Sequence, residues 1–208
     1  MPIVALVGNK GGAGKTTLCV NLATALSALA PTIVLDADPQ RSSLQWRELA
    51  ERDDAVPVVD AVDDVRAAVQ GARATHEYLV IDCPPSVHAV QTAEVLAICH
   101  IALVPVQPSP LDIWATVHIE EKVEEARRVN PGLRALLVVN QLEPWTLLSQ
   151  QVRQGLAELS LPVAQTAIRR RMAYRSSVLE GRTVIDLGAR GSEAADEIRQ
   201  LIEEVVRT

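Results

Sequence analysis

Phenylalanine is absent, and the 208 residues hold only five other aromatics: Trp46, Tyr78, Trp114, Trp145 and Tyr174. Surfaces that stack the bases of a single strand need more rings than that. Lysine is nearly as scarce, with three against seventeen arginines. Cysteine occurs three times, as Cys19, Cys83 and Cys99, each in apolar surroundings and without a CxxC pair. That pattern argues against thiolate ligands or bridges and predicts buried thiols in a reducing compartment. The four histidines, at 76, 88, 100 and 118, lack metal-ligand spacing. No apolar run approaches the roughly 18 residues of a membrane span, and the chain starts as a strand without a basic leader. A cytoplasmic location is expected.

What is present is aliphatic. Alanine, valine, leucine and isoleucine supply almost all of the 48% hydrophobic content. A chain of this length can bury about 70% of its unfolded surface with no metal or disulfide, so one domain over residues 1–208 is expected. The net charge of −6 is unevenly spread. Residues 1–100 carry 7 positive and 12 negative groups, residues 101–208 carry 13 and 14, and the one dense arginine group lies in the second half.

Short apolar runs alternate with helical patterns. Strands are predicted at Val4–Val7, Thr32–Leu35, Val56–Val59, Tyr78–Ile81, Ile101–Val106 and Leu133–Asn140. Helices are predicted at Thr16–Leu29, from Ser42 through Leu49, and at about 61–71, 88–98, 111–128, 147–159 and 191–206. Between the last two helices the pattern weakens to an extended piece at Val163–Ile168, an arginine-bearing turn and Thr183–Ile185. Strands that read as continuous apolar runs between helices indicate an α/β fold: a doubly wound, mostly parallel sheet covered on both faces.

The chemistry lies in Lys10-Gly11-Gly12-Ala13-Gly14-Lys15-Thr16-Thr17, between the first strand and first helix. Glycines let successive N–H groups turn around phosphate oxygens, and the helix adds the positive end of its dipole. Lys15 reaches the β and γ phosphates, and Thr16 is placed to ligate Mg²⁺. The strict P-loop pattern has a glycine five residues before Gly14, where this chain has Asn9. A dinucleotide fingerprint also fails, for want of a third glycine. Asp36 and Asp82 each end an apolar strand, on the side of a parallel sheet where ligands bind, so both can reach the metal directly or through water. A second ammonium, Lys10, beside Lys15 is unfavourable unless an anion is shared.

At these residues the sequence resembles the ParA/MinD family of deviant Walker A ATPases, whose signature is KGGxGKTT. Asp36-Ala37-Asp38-Pro39-Gln40 resembles that family's DxDPQ segment, and Leu79 to Pro85 resembles its Walker B and second switch. Pro105-Val106-Gln107-Pro108-Ser109-Pro110 is similar to the proline-rich stretch of its short, ParF-like branch. The resemblance implies ATP and Mg²⁺ as cofactors and slow intrinsic hydrolysis, since no cis arginine finger is evident near the loop. It implies that Asp38 orients the attacking water, that Asn140 lies near the adenine, and that Lys10 crosses to the nucleotide of an opposite subunit, so that ATP closes a homodimer. It further implies a ParB/ParG-like adaptor protein that stimulates hydrolysis.

For the output of such a switch, residues 165–182 hold five arginines and one acid. Arg169, Arg170, Arg171 and Arg175 are the candidate contacts to DNA, which would be double-stranded, nonspecific and bound through phosphates, giving nucleoid association. A membrane output, as in MinD-like relatives, is disfavoured by Glu193, Asp196, Glu197, Glu203 and Glu204 on the last helix. A P-loop small-molecule kinase or ligase remains an alternative, without an identifiable acceptor pocket.

Overall fold

The structure, a computed structural model, describes residues 2–143, 155, 156 and 159–206. The helix expected at 147–159 falls largely outside them. In chain order the elements are β1 (Ile3–Leu6), α1 (Lys15–Ser27), β2 (Thr32–Asp36), α2 (Ser42–Leu49), β3 (Val58–Asp60), α3 (Val65–Ala72), β4 (Tyr78–Asp82), α4 (Val90–Leu96), β5 (Ile101–Val106), α5 (Pro110–Arg127) and β6 (Arg134–Val139). After these come α6 (Met172–Leu179), a 3-10 stretch (Val184–Gly191) and α7 (Ser192–Val206).

All six strands are parallel, in the order β3-β2-β4-β1-β5-β6. The alternation of side chains along a strand builds two cores from one sheet. Ile3 and Ala5 face the layer of Val69, Leu96 and Val123 from α3, α4 and α5. Val4 and Leu6 face Leu18, Leu22 and Leu26 of α1 and Ile198, Leu201 and Ile202 of α7. Both faces are apolar because both are covered, and that is why these strands read as unbroken hydrophobic runs. Ile198, Leu201, Ile202 and Val205 of α7 are buried in this second core, so they are not free to face a lipid surface. No described helix is long and apolar enough to cross a membrane.

Two C-terminal elements go beyond the weak sequence pattern. The arginine-bearing turn is followed by a helix, α6, with Arg171 as its N-cap residue and Arg175 inside it. Thr183 starts the 3-10 stretch through a capping box in which the Asp186 carboxylate accepts from the Thr183 N–H and hydroxyl, both at 2.8 Å. The extended piece before α6 does form. It runs parallel to the edge of β6, with bridges at Leu137–Val163 and Leu142–Arg169, and this pairing carries the arginines to the end of the sheet where the loops gather.

Candidate active site

The turn from β1 into α1 holds Gly12 and Gly14 at φ 78° and 92°. A side chain at Gly14 would be strained and would collide with the Asn140 amide. The loop, the segments that follow β2, β4 and β6, and α6 enclose a cleft of about 540 Å³. Gly11, Gly12, Gly14, Lys15, Thr16 and Thr17 form its floor, and Asp38 and Asn140 also line it.

Lys15 is buried, and its ammonium donates to the Lys10 carbonyl at 3.2 Å. Burial lowers its pKa, while the nearby Asp82 and Asp38 carboxylates oppose that shift. Asp36 and Asp82 stand in register on adjacent strands, both fully buried. Asp36 is engaged by backbone: one oxygen accepts from the Asp38 N–H at 3.1 Å, the other from the Leu44 N–H at 3.0 Å. It therefore shapes the loop after β2 and ties down the first turn of α2, with burial raising its pKa. Asp82 differs. Its Oδ2 accepts from the Ser43 hydroxyl at 2.8 Å, while its Oδ1 is buried without a hydrogen-bond partner. Burial pushes its pKa up to about 7, against the Thr16 and Ser43 hydroxyls, which lower it.

An orphaned carboxylate oxygen next to the P-loop threonine fits a divalent cation, and Thr16 and Asp82, with Asp36 behind them, would hold it. No three His, Cys, Asp or Glu side chains converge on a metal site among the described residues. That donor set suits Mg²⁺, which uses one or two carboxylates with substrate phosphates and water. When bound, the ion neutralises charge on the β and γ oxygens.

Asp38 reaches the cleft from the loop after β2, and its Oδ1 accepts from the Gln40 N–H at 3.0 Å. Asn140 is buried and acts on the loop itself, donating from Nδ2 to the Ala13 carbonyl at 2.7 Å. Lys10 has its anion within the chain: Nζ lies 3.0 Å from Asp112 Oδ1 on α5. The electrostatic argument for a shared phosphate is thus answered in this conformation by a carboxylate.

The arginines do not form a separate surface. Arg169, Arg170, Arg171 and Arg175 line the same cleft as the P-loop, far from it in sequence. Their excess charge is also partly matched. Arg171 pairs with Glu193 and with Glu197 at 2.8 Å, Arg170 with Glu143 at 2.6 Å, and Arg169 lies 3.9 Å from Glu197. Arg175 has no ion pair among the described residues.

Sequence reasoning missed Asp112, Ser43, Gln107 and Gln141. Gln107 and Gln141 follow the ends of β5 and β6, the ligand side of a parallel sheet, and that position was the available signal.

Residues 4–184 match the family described as CobQ/CobB/MinD/ParA nucleotide binding domain. The chain belongs to this family. It is an ATPase with ATP and Mg²⁺ as cofactors. It is 41% identical over 207 residues to maintenance of carboxysome distribution protein A of Halothiobacillus neapolitanus, covering 98% of this chain and 95% of that one. It is 30% identical to the chromosome-partitioning ATPase Soj of Thermus thermophilus, covering 98% and 94%. The fold matches a plasmid partition protein of Borrelia burgdorferi bound to AMPPNP, with a TM-score of 0.80 at 16% identity over 99% of this chain and 98% of that one.

Proposed function

We propose that this ATPase is a cargo-positioning switch: ATP closes a homodimer, the dimer holds nonspecific double-stranded DNA, and an adaptor protein of ParB/ParG type triggers hydrolysis and release. The observation that carries this reading is Lys10. It sits at the head of the loop, half exposed, on a single ion pair to a neighbouring helix. A lysine held by one ion pair, with its own side chain half in water, can be exchanged onto a phosphate, and the strongly attracting triphosphate has to offset the buried Asp112 carboxylate left without its cation. Lys15, by contrast, is buried beneath the loop and serves its own nucleotide. Asp38 is the residue that orients the attacking water, and the adenine lies near Asn140.

The output is assigned to phosphate contacts by Arg169, Arg170 and Arg175, with nucleoid association as the consequence. Arg171 is committed to Glu193 and Glu197 and serves as an anchor. The 41% identity to a protein named for carboxysome distribution supports a protein compartment as the cargo.

Sedimentation of the apo, ADP and non-hydrolysable ATP forms tests the switch. Wild type should dimerise only with the ATP analogue, Lys10→Ala should stay monomeric in every form, and Asp38→Ala should accumulate as a dimer with ATP itself. Nucleotide-independent mass, or wild-type behaviour of both variants, sinks the reading.

A further inference from the structure

The carbonyl edge of the P-loop is held by three side-chain amides from one end of the sheet. Gln107 Nε2 and Gln141 Nε2 both donate to the Gly12 carbonyl, at 2.7 and 3.2 Å, and Asn140 Nδ2 donates to the Ala13 carbonyl. Gln107 follows β5, while Asn140 and Gln141 follow β6. Gln141 is also one of two non-glycine residues with positive φ among the described residues, at 56°. A glutamine with its ordinary Cβ pays for that conformation, and such strain persists where the surroundings over-determine it, chiefly at functional sites. Its backbone N–H is fixed in turn by Asn140 Oδ1, at 2.9 Å.

A peptide unit is planar, with C=O and the following N–H antiparallel. Fixing the Gly12 carbonyl therefore fixes the direction of the Ala13 N–H, and fixing the Ala13 carbonyl fixes that of the Gly14 N–H. These N–H groups are the donors a phosphate loop offers, and donors already oriented cost less to assemble around an anion. Gly12 at φ 78° has neither a side chain nor a conformational preference to hold it there. The restraint has to come from outside the loop.

We propose that Gln107 and Gln141 are positioning residues for the triphosphate: they act with Asn140 as a clamp that pre-orients the loop's N–H donors, and the left-handed turn at Gln141 is what brings its amide onto Gly12. The proposal rests on the binding of ATP at this loop. It concerns affinity for nucleotide in one chain and is independent of dimerisation.

The test measures equilibrium binding of a fluorescent ATP analogue with Mg²⁺ to the full chain, alongside its thermal midpoint. Gln141→Gly removes the amide and suits the positive φ better than glutamine does, so a merely structural role predicts a midpoint at or above wild type and unchanged affinity. The clamp predicts that same midpoint with Kd raised about fivefold, the scale of one hydrogen bond. Gln107→Ala should weaken binding similarly, and the double variant more than either. Gln141→Asn, which tolerates the left-handed turn and keeps a shorter amide, should fall between wild type and Gln141→Gly. Affinities within twofold of wild type in both single variants and in the double overturn the clamp. Failure of wild type itself to bind the analogue overturns ATP binding at this loop, and the clamp with it.

Discussion

Lys10 Nζ lies 3.0 Å from Asp112 Oδ1, which joins the first residue of the P-loop to the first turn of α5. The carboxylate is almost fully buried, with its Oδ2 lacking a hydrogen-bond partner, whereas the lysine side chain is half exposed. The pair is thus a fixed anion and a movable cation. Any process that needs Lys10 elsewhere competes with it.

Asp112→Asn should lower that competition. The amide keeps the shape and loses the charge, so the ATP-analogue concentration giving half-maximal dimerisation should fall, by about fivefold or more, because the carboxylate that wild type leaves without its cation is buried. Sedimentation across a titration of the analogue checks this. A midpoint that stays put or rises shows that Asp112 does not hold Lys10 back.

The geometry around Asp82 predicts a trade of activity against stability. A fully buried carboxylate with one oxygen unpartnered costs the apo protein free energy that a bound cation would recover. Asp82→Asn removes the charge while leaving an acceptor for the Ser43 hydroxyl. Unfolding free energy without nucleotide should rise by about 1 kcal/mol, or about 2–4 °C in midpoint. Mg²⁺-dependent ATP hydrolysis should fall by about two orders of magnitude, because the cation's protein ligand is weakened. Calorimetry and phosphate release, on the same preparation, read both effects.

The sequence makes the strands and the loop legible for a physical reason. Strands buried on both faces must be apolar throughout, and a polar residue ending such a run, as Asp36 and Asp82 do, marks the ligand side. The region after β6 is legible only in part. The helix α6 has eight residues and buries little besides Tyr174 and Ser177, so it lacks a periodic stripe, and its N-cap is Arg171, a residue type that gives no capping signal. The capping box at Thr183 and Asp186 was readable from spacing alone. The entry of Arg169–Arg171 into the nucleotide cleft was not, because it depends on pairing of the 163–169 segment with the edge of β6. Local charge counting sees five arginines, but their partners Glu143, Glu193 and Glu197 lie more than twenty residues away in sequence.

Asp186 sets a pH dependence of folding. Burial raises its pKa, but the Thr183 N–H, the Arg52 guanidinium and the Thr183 hydroxyl together outweigh burial and hold it below the ordinary value. A carboxylate depressed in the folded state contributes stability above its unfolded pKa, about 3.9, and loses it as pH falls through the folded value. Urea midpoints should therefore drop between about pH 5 and pH 3, and the drop should be shallower in Asp186→Asn. At pH 7 that variant should be about 1–2 kcal/mol less stable than wild type. An unchanged acid limb in the variant means that the capping box carries no pH linkage.

The arginines of the cleft wall divide by what they touch, and single replacements should separate them. Glu197 is nearly buried and accepts from Arg171 Nε at 3.0 Å and Nη2 at 2.8 Å, from the Arg169 N–H at 3.2 Å and from the Tyr174 hydroxyl at 3.3 Å. Arg171→Ala leaves that carboxylate short of its charged partner, which should cost about 2 kcal/mol, less than a fully buried pair because Arg171 is partly exposed. Arg170→Ala and Arg175→Ala remove groups with no such dependents, so stability should stay within about 0.5 kcal/mol. If these two contact DNA phosphates, each replacement should weaken binding to random duplex and reduce the slope of log K against log salt by about one. A triple replacement of Arg169, Arg170 and Arg171 would mix the two effects, since loss of DNA binding would follow from a loosened α6 as readily as from lost contacts. Salt-dependent binding measured beside thermal midpoints for the single variants assigns each arginine to anchoring or to contact, and an unaltered slope in both Arg170→Ala and Arg175→Ala removes this wall from the DNA interface.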